Sequence, residues 1–231
     1  MPYDRSVFFD VIRNDPFEGS LSQEQVDGME RLLSTWEAFY DLPDRRWLSY
    51  ALATCYHETG ARMVPVSEIG KGQGKPYGVP DPTTGQTYYG RGDIQCTWRE
   101  NYARLDKEFG LKGDRSCEWH AENALDPIIS AQALFQGMIE GWYRAGHTLG
   151  RYFSDTVNDP YTAREIVNGD KHIVPSWSGG LSIGNLIKEY HIAFLDALDQ
   201  AYDRPTAQDL VIINVRVPAG IRVEVHVEED S

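Results

Sequence analysis

Hydrophobic residues recur at helical spacing near the start of the chain. Ser22 stands three residues before Gln25, the spacing of a capping box at a helix start. The apolar positions that follow at intervals of three and four are Val26, Met29, Leu32, Leu33 and Trp36. A second periodic stretch begins near Asp44 and runs to Gly60, a residue type that commonly ends helices. The pattern predicts two consecutive helices, the second of which ends just before Gly60.

The middle of the chain alternates between loop-like and helical composition. Residues 70–92 are rich in Gly and Pro, which favours a long loop, and the aromatic stretch Tyr88–Thr97 predicts a short strand or hairpin. Helical periodicity returns at Asn101–Phe109. Three further helices are predicted near 127–142, 160–168 and 182–202.

After Pro205 the period of the pattern changes from helical to two. Apolar residues alternate with polar ones on both sides of the turn Pro218-Ala219-Gly220, which predicts a β-hairpin. We therefore divide the chain into a main domain, 1–204, and a C-terminal hairpin appendage, 205–231. Because an isolated hairpin is marginally stable in water, residues 210–228 are expected to self-associate or to dock on a partner or on the main domain.

The balance of charge limits the kinds of partner. The 231 residues suit one globular domain, and 22 Lys and Arg against 35 Asp and Glu give a formal net charge of −13. Because nucleic-acid binding depends on Lys and Arg that neutralise phosphates, we expect no nucleic-acid partner. The same charge opposes attraction to an anionic membrane. If the substrate is anionic, the site must supply its own positive groups.

The sequence predicts neither a targeting segment nor a bound metal. The chain begins with no basic and apolar leader and has no apolar run long enough to span a bilayer. We therefore expect a protein that is cytoplasmic on synthesis and does not insert into membranes. The 3 cysteines and 6 histidines lack metal-ligand spacing, so we expect no metal site and no cofactor.

Two glutamates ten residues apart are the main candidates for chemistry. Glu58 ends the second predicted helix, where the helix dipole and aromatic neighbours raise the pKa of a carboxyl group, as a general acid requires. Glu68 follows in a polar loop, where a solvated carboxylate stays ionised and can activate a water molecule. Each could equally be an ordinary surface acid. Thr97 could hold the attacking water with Glu68, or occur there for its strand propensity.

Other polar residues nearby are candidates for a supporting role. The amides of Gln95 and Asn101 can bind sugar hydroxyl or N-acetyl groups, although turns and helix starts use such side chains too. Arg91, between two glycines, either contacts substrate or is a buried arginine that pairs with an acid and holds the cleft together. His57 is better explained as a structural, hydrogen-bonded histidine beside Glu58 than as a base.

Several motifs together resemble glycoside hydrolase family 19, the family of chitinases and phage endolysins. The segments that carry the resemblance are His57-Glu58-Thr59-Gly60, Tyr88-Tyr89-Gly90-Arg91-Gly92, Ile94-Gln95, Thr97-Trp98, Asn101-Tyr102 and Arg164-Glu165-Ile166-Val167-Asn168-Gly169. The similarity covers roughly residues 5–200, and the opening segment through Trp36 resembles the phage branch.

The resemblance implies a mainly α fold of the α+β type: a lysozyme-like, two-lobed helical domain with a small β-hairpin beside the cleft. It also implies that Glu58 is the general acid, Glu68 the general base and Thr97 the residue that positions water. The candidate substrate-binding residues are then Tyr89, Arg91, Gln95, Asn101 and Asn168. Family members invert the anomeric centre, which requires carboxyl groups ~6.5–9.5 Å apart.

Parts of the chain depart from the family pattern. Asp93 stands where members carry Pro or a large apolar residue, and Glu100 stands where plant members carry an aromatic that touches sugar. The segment 170–181 does not follow the usual continuation, and residues 206–231 have no counterpart. The change at Glu100 puts one chitin subsite in doubt.

These observations lead to one preferred function and two alternatives. The preferred function is hydrolysis of β-1,4 bonds between N-acetylated amino sugars of peptidoglycan, by a phage-type lysis enzyme that reaches the cell wall after release. Chitin or its oligomers is the alternative substrate. The alternative of another class is an inactive wall-binding or structural component of a phage particle.

Overall fold

The computed structural model describes residues 3–202, which form seven α-helices and a two-stranded antiparallel sheet. The helices are α1 (Arg5–Asn14), α2 (Gln23–Phe39), α3 (Arg45–Glu58), α4 (Arg99–Phe109), α5 (Pro127–Glu140), α6 (Leu149–Tyr152) and α7 (Ile183–Ala201). The strands are β1 (Val66–Ser67) and β2 (Arg91–Gly92). The mainly helical architecture confirms the predicted fold class. The predicted C-terminal hairpin and its docking surface lie outside the described residues.

The two N-terminal helix predictions are confirmed down to their caps. Ser22 and Gln25 form a reciprocal capping box at the start of α2. Asp44 caps α3 by accepting a hydrogen bond from the backbone N–H of Arg46. The same helix ends at Glu58, two residues before Gly60, whose φ of 60° is left-handed. The local sequence therefore determines where Glu58 sits relative to the helix end.

The helix α3 forms the centre of the core. Its residues Leu48–Cys55 are all buried, although the sequence pattern predicted a single apolar face. The helix packs against α7, α5 and α2, so the small and polar side chains on its other faces are covered too. Ser49 on this helix hydrogen-bonds the ring of the buried His191 on α7, with 2.8 Å between Oγ and Nδ1.

The strand predicted at Tyr88–Thr97 is shorter than expected, and its partner was not foreseen. The strand Arg91–Gly92 pairs antiparallel to Val66–Ser67, a segment interpreted from the sequence as loop. Arg91 also forms an antiparallel bridge with Cys96, so the segment folds back on itself as a short hairpin. Gly92 has a φ of 85°, and a Cβ added there would lie 2.9 Å from Ser130 Oγ, so the strand packs closely on α5. Gln95, whose φ of 53° is left-handed, lies in the turn between the bridged residues Arg91 and Cys96.

Three other segments differ from the predictions in extent or type. The helix expected near 160–168 is a short 3₁₀ helix, Thr162–Ile166. The sequence pattern did not indicate α1, which Asp4 caps and which packs on α7, nor the single-turn helix α6. The four residues of α6 give too few periodic positions to recognise. In α1 the cap at Asp4 and the buried pair Phe8 and Ile12, four residues apart, are a local signal that the prediction missed.

The departure at Asp93 is compensated by a buried ion pair. The Asp93 side chain is fully buried, and both terminal nitrogens of Arg31 donate to it at 2.8 and 2.9 Å. Ser130 Oγ donates a further hydrogen bond at 2.6 Å. This charge therefore ties α2 and α5 to the turn that follows β2.

Candidate active site

The residues predicted to carry chemistry line one open groove of about 840 Å³. Its walls come from the end of α3, the sheet, the start of α4, the loop after α5 and the segment that follows the 3₁₀ helix. The predicted residues that line it are Glu58, Glu68, Gln95, Thr97, Asn101 and Asn168. Segments far apart in sequence thus bring both candidate carboxylates into the same cavity.

Glu58 is held by a buried arginine of the 3₁₀ helix Thr162–Ile166. Its side chain is 14% exposed, and Arg164 Nη1 donates to its Oε1 at 2.5 Å. The buried Arg164 also binds Asp170 through Nε at 2.6 Å and Nη2 at 3.0 Å. Sequence reasoning placed aromatic rings around Glu58, whereas the structure adds a guanidinium group shared with a second carboxylate.

The Arg164 guanidinium determines the charge state of its other partner. Burial by itself raises the pKa of Asp170, but the hydrogen bond and charge of Arg164 outweigh it and bring that pKa below its ordinary value. The pKa of Arg164 is raised: burial opposes its charge, but Glu58 and Asp170 together outweigh that effect. Asp170 is therefore ionised at neutral pH, and Arg164 is a fixed cation beside Glu58.

His57 precedes the candidate acid and lies outside the groove lining. Its ring centroid lies 6.5 Å from that of Trp177. Burial lowers the pKa of His57, against the opposing effect of Glu58. The ring is therefore neutral at pH 7, and the structural role of His57 stays a prediction.

Glu68 is held by the sheet rather than standing free in a loop. Its backbone N–H donates to the carbonyl of Gly90 at 2.7 Å, and the N–H of Gly90 donates to Glu68 Oε2 at 3.0 Å. Tyr77 Oη donates to Oε1 at 3.2 Å. Burial and the nearby carboxylate raise the pKa of Tyr77, so the phenol remains a donor. These contacts fix the direction of the carboxylate from both oxygens.

Thr97 and the predicted amides are anchored through backbone contacts. Asn101 Nδ2 donates to the carbonyl of Thr97 at 2.8 Å, and Gln95 Nε2 donates to the carbonyls of Val66 and Gly92 at 2.9 and 3.1 Å. Asn168 Nδ2 donates to Asp170 at 3.1 Å. These amides therefore support turns and also line the groove, and their binding of sugar stays a prediction.

Comparison with known proteins identifies the fold. No family model and no curated protein matches the sequence. The structure is similar to chitinase C from Streptomyces griseus HUT6037, with a TM-score of 0.55 and 18% identity over 86% of this chain and 78% of that one. The family 19, class IV chitinase from Zea mays gives a TM-score of 0.50 and 19% identity over 84% of this chain and 91% of that one.

The chain has the fold of the family 19 chitinases. This agrees with the resemblance carried by the sequence motifs. Because the identities are low, the assignment of roles on this family 19 fold rests on the geometry of the groove and not on the comparison.

Two of the predicted substrate-binding residues do not line the groove. Arg91 is 2% exposed and Tyr89 is 4% exposed. The Arg91 guanidinium lies 3.6 Å from the centroid of the Tyr89 ring and donates to Glu122, to the Tyr102 hydroxyl and to the carbonyl of Thr87. The prediction that Tyr89 and Arg91 contact sugar is therefore replaced by a structural role. The two side chains stack on each other, and Arg91 connects β2 to Glu122, Tyr102 and Thr87.

The groove of this family 19 fold also contains residues that sequence reasoning did not assign. Trp98 is 47% exposed with a φ of 73°, and its ring meets that of Tyr77 edge-on with centroids 5.2 Å apart. Trp98 and Arg164 both belong to the motifs that carry the resemblance, so the sequence could have indicated a role for them. Tyr77 and Arg62 also line the groove, but they lie outside those motifs, and no sequence motif pointed to them.

The part of the chain that the structure describes shows neither a metal centre nor a membrane span. Within residues 3–202, no group of three or more His, Cys, Asp and Glu side chains is placed to hold a metal ion. None of the helices there is long and apolar enough to cross a bilayer.

Proposed function

We propose that the protein is an inverting glycoside hydrolase that cleaves β-1,4 bonds between N-acetylated amino sugars, with peptidoglycan as its substrate. The observation that carries the proposal is that Glu58 and Glu68, from different elements, line one groove together with Thr97. Such hydrolysis requires one acid and one base on opposite sides of the sugar ring.

The reaction uses one proton transfer at each carboxyl group. Protonated Glu58 gives its proton to the leaving glycosidic oxygen, while the carboxylate of Glu68 takes a proton from the attacking water. The hydroxyl of Thr97 orients that water. Arg164, within hydrogen-bond distance of Glu58, stabilises the carboxylate that remains after the proton has left.

The remaining lining offers both kinds of contact that amino sugars need. The amides of Gln95, Asn101 and Asn168 provide hydrogen-bonding groups for N-acetyl and hydroxyl substituents. Trp98 and Tyr77 provide exposed or half-exposed ring surface for the apolar face of a pyranose. Aromatic rings of this kind bury a large apolar area with few internal rotations, which suits them to carbohydrate binding.

Chitin oligomers are the second candidate substrate. They are favoured by the likeness of the fold to two chitinases. Peptidoglycan is favoured by the resemblance of the N-terminal segment to phage enzymes, and a wall substrate would be met after release from the cell interior. An inactive wall-binding protein remains the candidate of another class.

A turbidity assay separates enzyme from binder. Gram-negative cells stripped of their outer membrane are treated with wild type and with Glu58→Gln at pH 5–8. We expect clearing by wild type alone. Equal clearing by both proteins, or none by either, would support the non-enzyme alternative.

Mass spectrometry of the products then identifies the substrate and the bond. A reducing N-acetylmuramic acid end from purified sacculi means muramidase, and a reducing N-acetylglucosamine end means glucosaminidase. If sacculi yield no products while a chitin hexamer is cleaved, the substrate is chitin and the peptidoglycan proposal is wrong.

A further inference from the structure

Arg62 is a groove-lining cation that the proposed chemistry does not use. It lies four residues after Glu58. The charged residues of the groove lining are Glu58, Arg62, Glu68 and Arg144. Glu58 is paired with the buried Arg164, and Arg144 is paired with the largely buried Glu165. Arg62 differs from Arg144, the other arginine of the groove lining, because its carboxylate partner, Glu24, is exposed.

The backbone that presents Arg62 is unusual. Gly60, Ala61 and Met63 have φ values of 60°, 66° and 60°, so three of the four residues from 60 to 63 are left-handed. This region is uncommon for residues with a Cβ, and such strain persists only where the surroundings enforce it. Strained conformations of this kind concentrate at binding and catalytic sites.

The helix α2 enforces this conformation. Gln25 Nε2 donates to the carbonyl of Ala61 at 2.9 Å, and Arg31 Nη2 donates to the carbonyl of Met63 at 3.3 Å. A Cβ added at Gly28 would lie 2.2 Å from the Met63 carbonyl oxygen, so the loop approaches the helix too closely for any larger residue. The position of Arg62 beside the groove is therefore determined by tertiary contacts and not by a mobile loop.

The partner of Arg62 resembles a substrate group. Nη2 and Nε of its guanidinium bind the two carboxylate oxygens of Glu24 at 2.6 and 3.3 Å. The two side chains are 56% and 49% exposed, and exposed pairs of this kind contribute roughly 0–1 kcal/mol. Glu24 lies outside the groove lining. An incoming carboxylate can therefore replace Glu24 at little cost, in the same two-point geometry.

We propose that Arg62 binds a carboxylate carried by the glycan substrate, and that this contact selects peptidoglycan over neutral amino-sugar polymers. The inference rests on the proposed function of the groove. Peptidoglycan strands bear peptide carboxylates on alternate sugars, whereas chitin bears none. A chain of net charge −13 repels an anionic polymer at long range, so a cation that faces the groove provides a compensating contact where the polymer binds.

The test compares the two glycans with matched variants. The kinetics of Arg62→Gln, Arg62→Lys and Glu24→Gln are measured on soluble peptidoglycan strands that carry stem peptides and on a chitin hexamer. Arg13→Gln is the control, because Arg13 is an exposed arginine in a weak 3.7 Å pair with Asp10 and lies outside the groove lining.

We expect Arg62→Gln to lower kcat/KM on the peptide-bearing strands about tenfold more than on chitin, the size of one lost charged hydrogen bond. The loss should appear in KM. On the peptide-bearing strands, Arg62→Lys should have a kcat/KM between those of wild type and Arg62→Gln, because Lys keeps the charge but lacks the two-point geometry. Glu24→Gln should lower KM for the strands, because it frees Arg62. Arg13→Gln should match wild type. Equal effects of Arg62→Gln on both glycans, or none on either, would overturn the inference.

A binding measurement keeps the inference testable if no glycan is cleaved. In the Glu58→Gln background, cosedimentation with sacculi is compared before and after their carboxylates are amidated. We expect Arg62→Gln to weaken binding to untreated sacculi and to leave binding to amidated sacculi at the level of its parent. If wild type cleaves neither glycan, the hydrolase proposal is wrong. The carboxylate contact is wrong if Arg62→Gln and its parent bind untreated sacculi alike, or if the substitution weakens binding to untreated and amidated sacculi equally.

Discussion

Arg164 and Glu58 are 106 residues apart in sequence and form an ion pair of 2.5 Å in the groove. The same guanidinium holds Asp170 through its other nitrogens. The candidate acid is therefore oriented by a buried cation whose second partner is ionised. Because Arg164 keeps Asp170 as a partner, changing Glu58 should affect activity much more than stability.

Glu58→Gln should abolish hydrolysis and leave the fold intact. The amide cannot donate a proton to the leaving oxygen, so kcat should fall by about 10²–10⁴, the usual contribution of a general acid. Arg164 keeps both of its hydrogen bonds to Asp170 and can still donate to the side-chain oxygen of the amide, so the melting temperature should change by only a few degrees. Kinetics and thermal unfolding measure the two effects. The matched control is Glu189→Gln, an exposed glutamate of α7 outside the groove lining, and a comparable loss of kcat there would contradict the assignment.

Thr97→Val should slow turnover more than it weakens binding. The substitution keeps the shape of the side chain and removes the hydroxyl that would orient the attacking water. A group that acts only in the transition state lowers kcat and kcat/KM together. Steady-state kinetics on peptidoglycan strands give both parameters. A raised KM with unchanged kcat would show that Thr97 binds substrate and does not position water.

Asp93→Asn should destabilise the fold strongly. Removing the charge leaves the guanidinium of Arg31, whose side chain is 13% exposed, without its carboxylate. Breaking a buried pair from one side costs about 3–5 kcal/mol. Urea denaturation measures the loss of unfolding free energy. Asp10→Asn, in an exposed pair, is the control and should stay within about 0.5 kcal/mol of wild type. Equal midpoints for the two variants would show that the Arg31–Asp93 pair contributes nothing.

Buried His191 should make the protein less stable as the pH falls from 6.5 towards 4. Burial lowers its pKa from an ordinary 6.5 to about 4. The unfolded chain therefore binds a proton in this range before the folded protein does, so stability is complete above pH 6.5 and is lost as the pH falls. The full effect is on the order of 3 kcal/mol at 1.36 kcal/mol per pKa unit. Thermal unfolding at pH 7.5 and 4.5 measures it.

The control for this dependence is His191→Gln, which can still hydrogen-bond Ser49 but does not titrate in that range. Its melting temperature should fall less than that of wild type between the two pH values. Parallel curves for the two proteins would place the proton uptake on other groups.

The sequence by itself determined the features that depend on neighbours along the chain. The capping pair Ser22 and Gln25, the cap at Asp44 and the end of α3 at Glu58 all follow from residues within one helical turn of each other. The two glutamates ten residues apart could be singled out because a helix end and a polar segment are local environments. The short motifs around Glu58 and Arg91 are also local in sequence. They predicted the family 19 fold, although the identity to the solved chitinases is only 18–19%.

Only the tertiary structure decided the features that depend on distant contacts. Arg91 lies between two glycines and looks like a substrate ligand in sequence, yet its guanidinium is buried against Tyr89, Tyr102 and Glu122. The pairing of Val66–Ser67 with Arg91–Gly92, and of Glu58 with Arg164, joins segments separated by long loops. No local pattern encodes such partners, because their interaction depends on which surfaces the packed helices bring together.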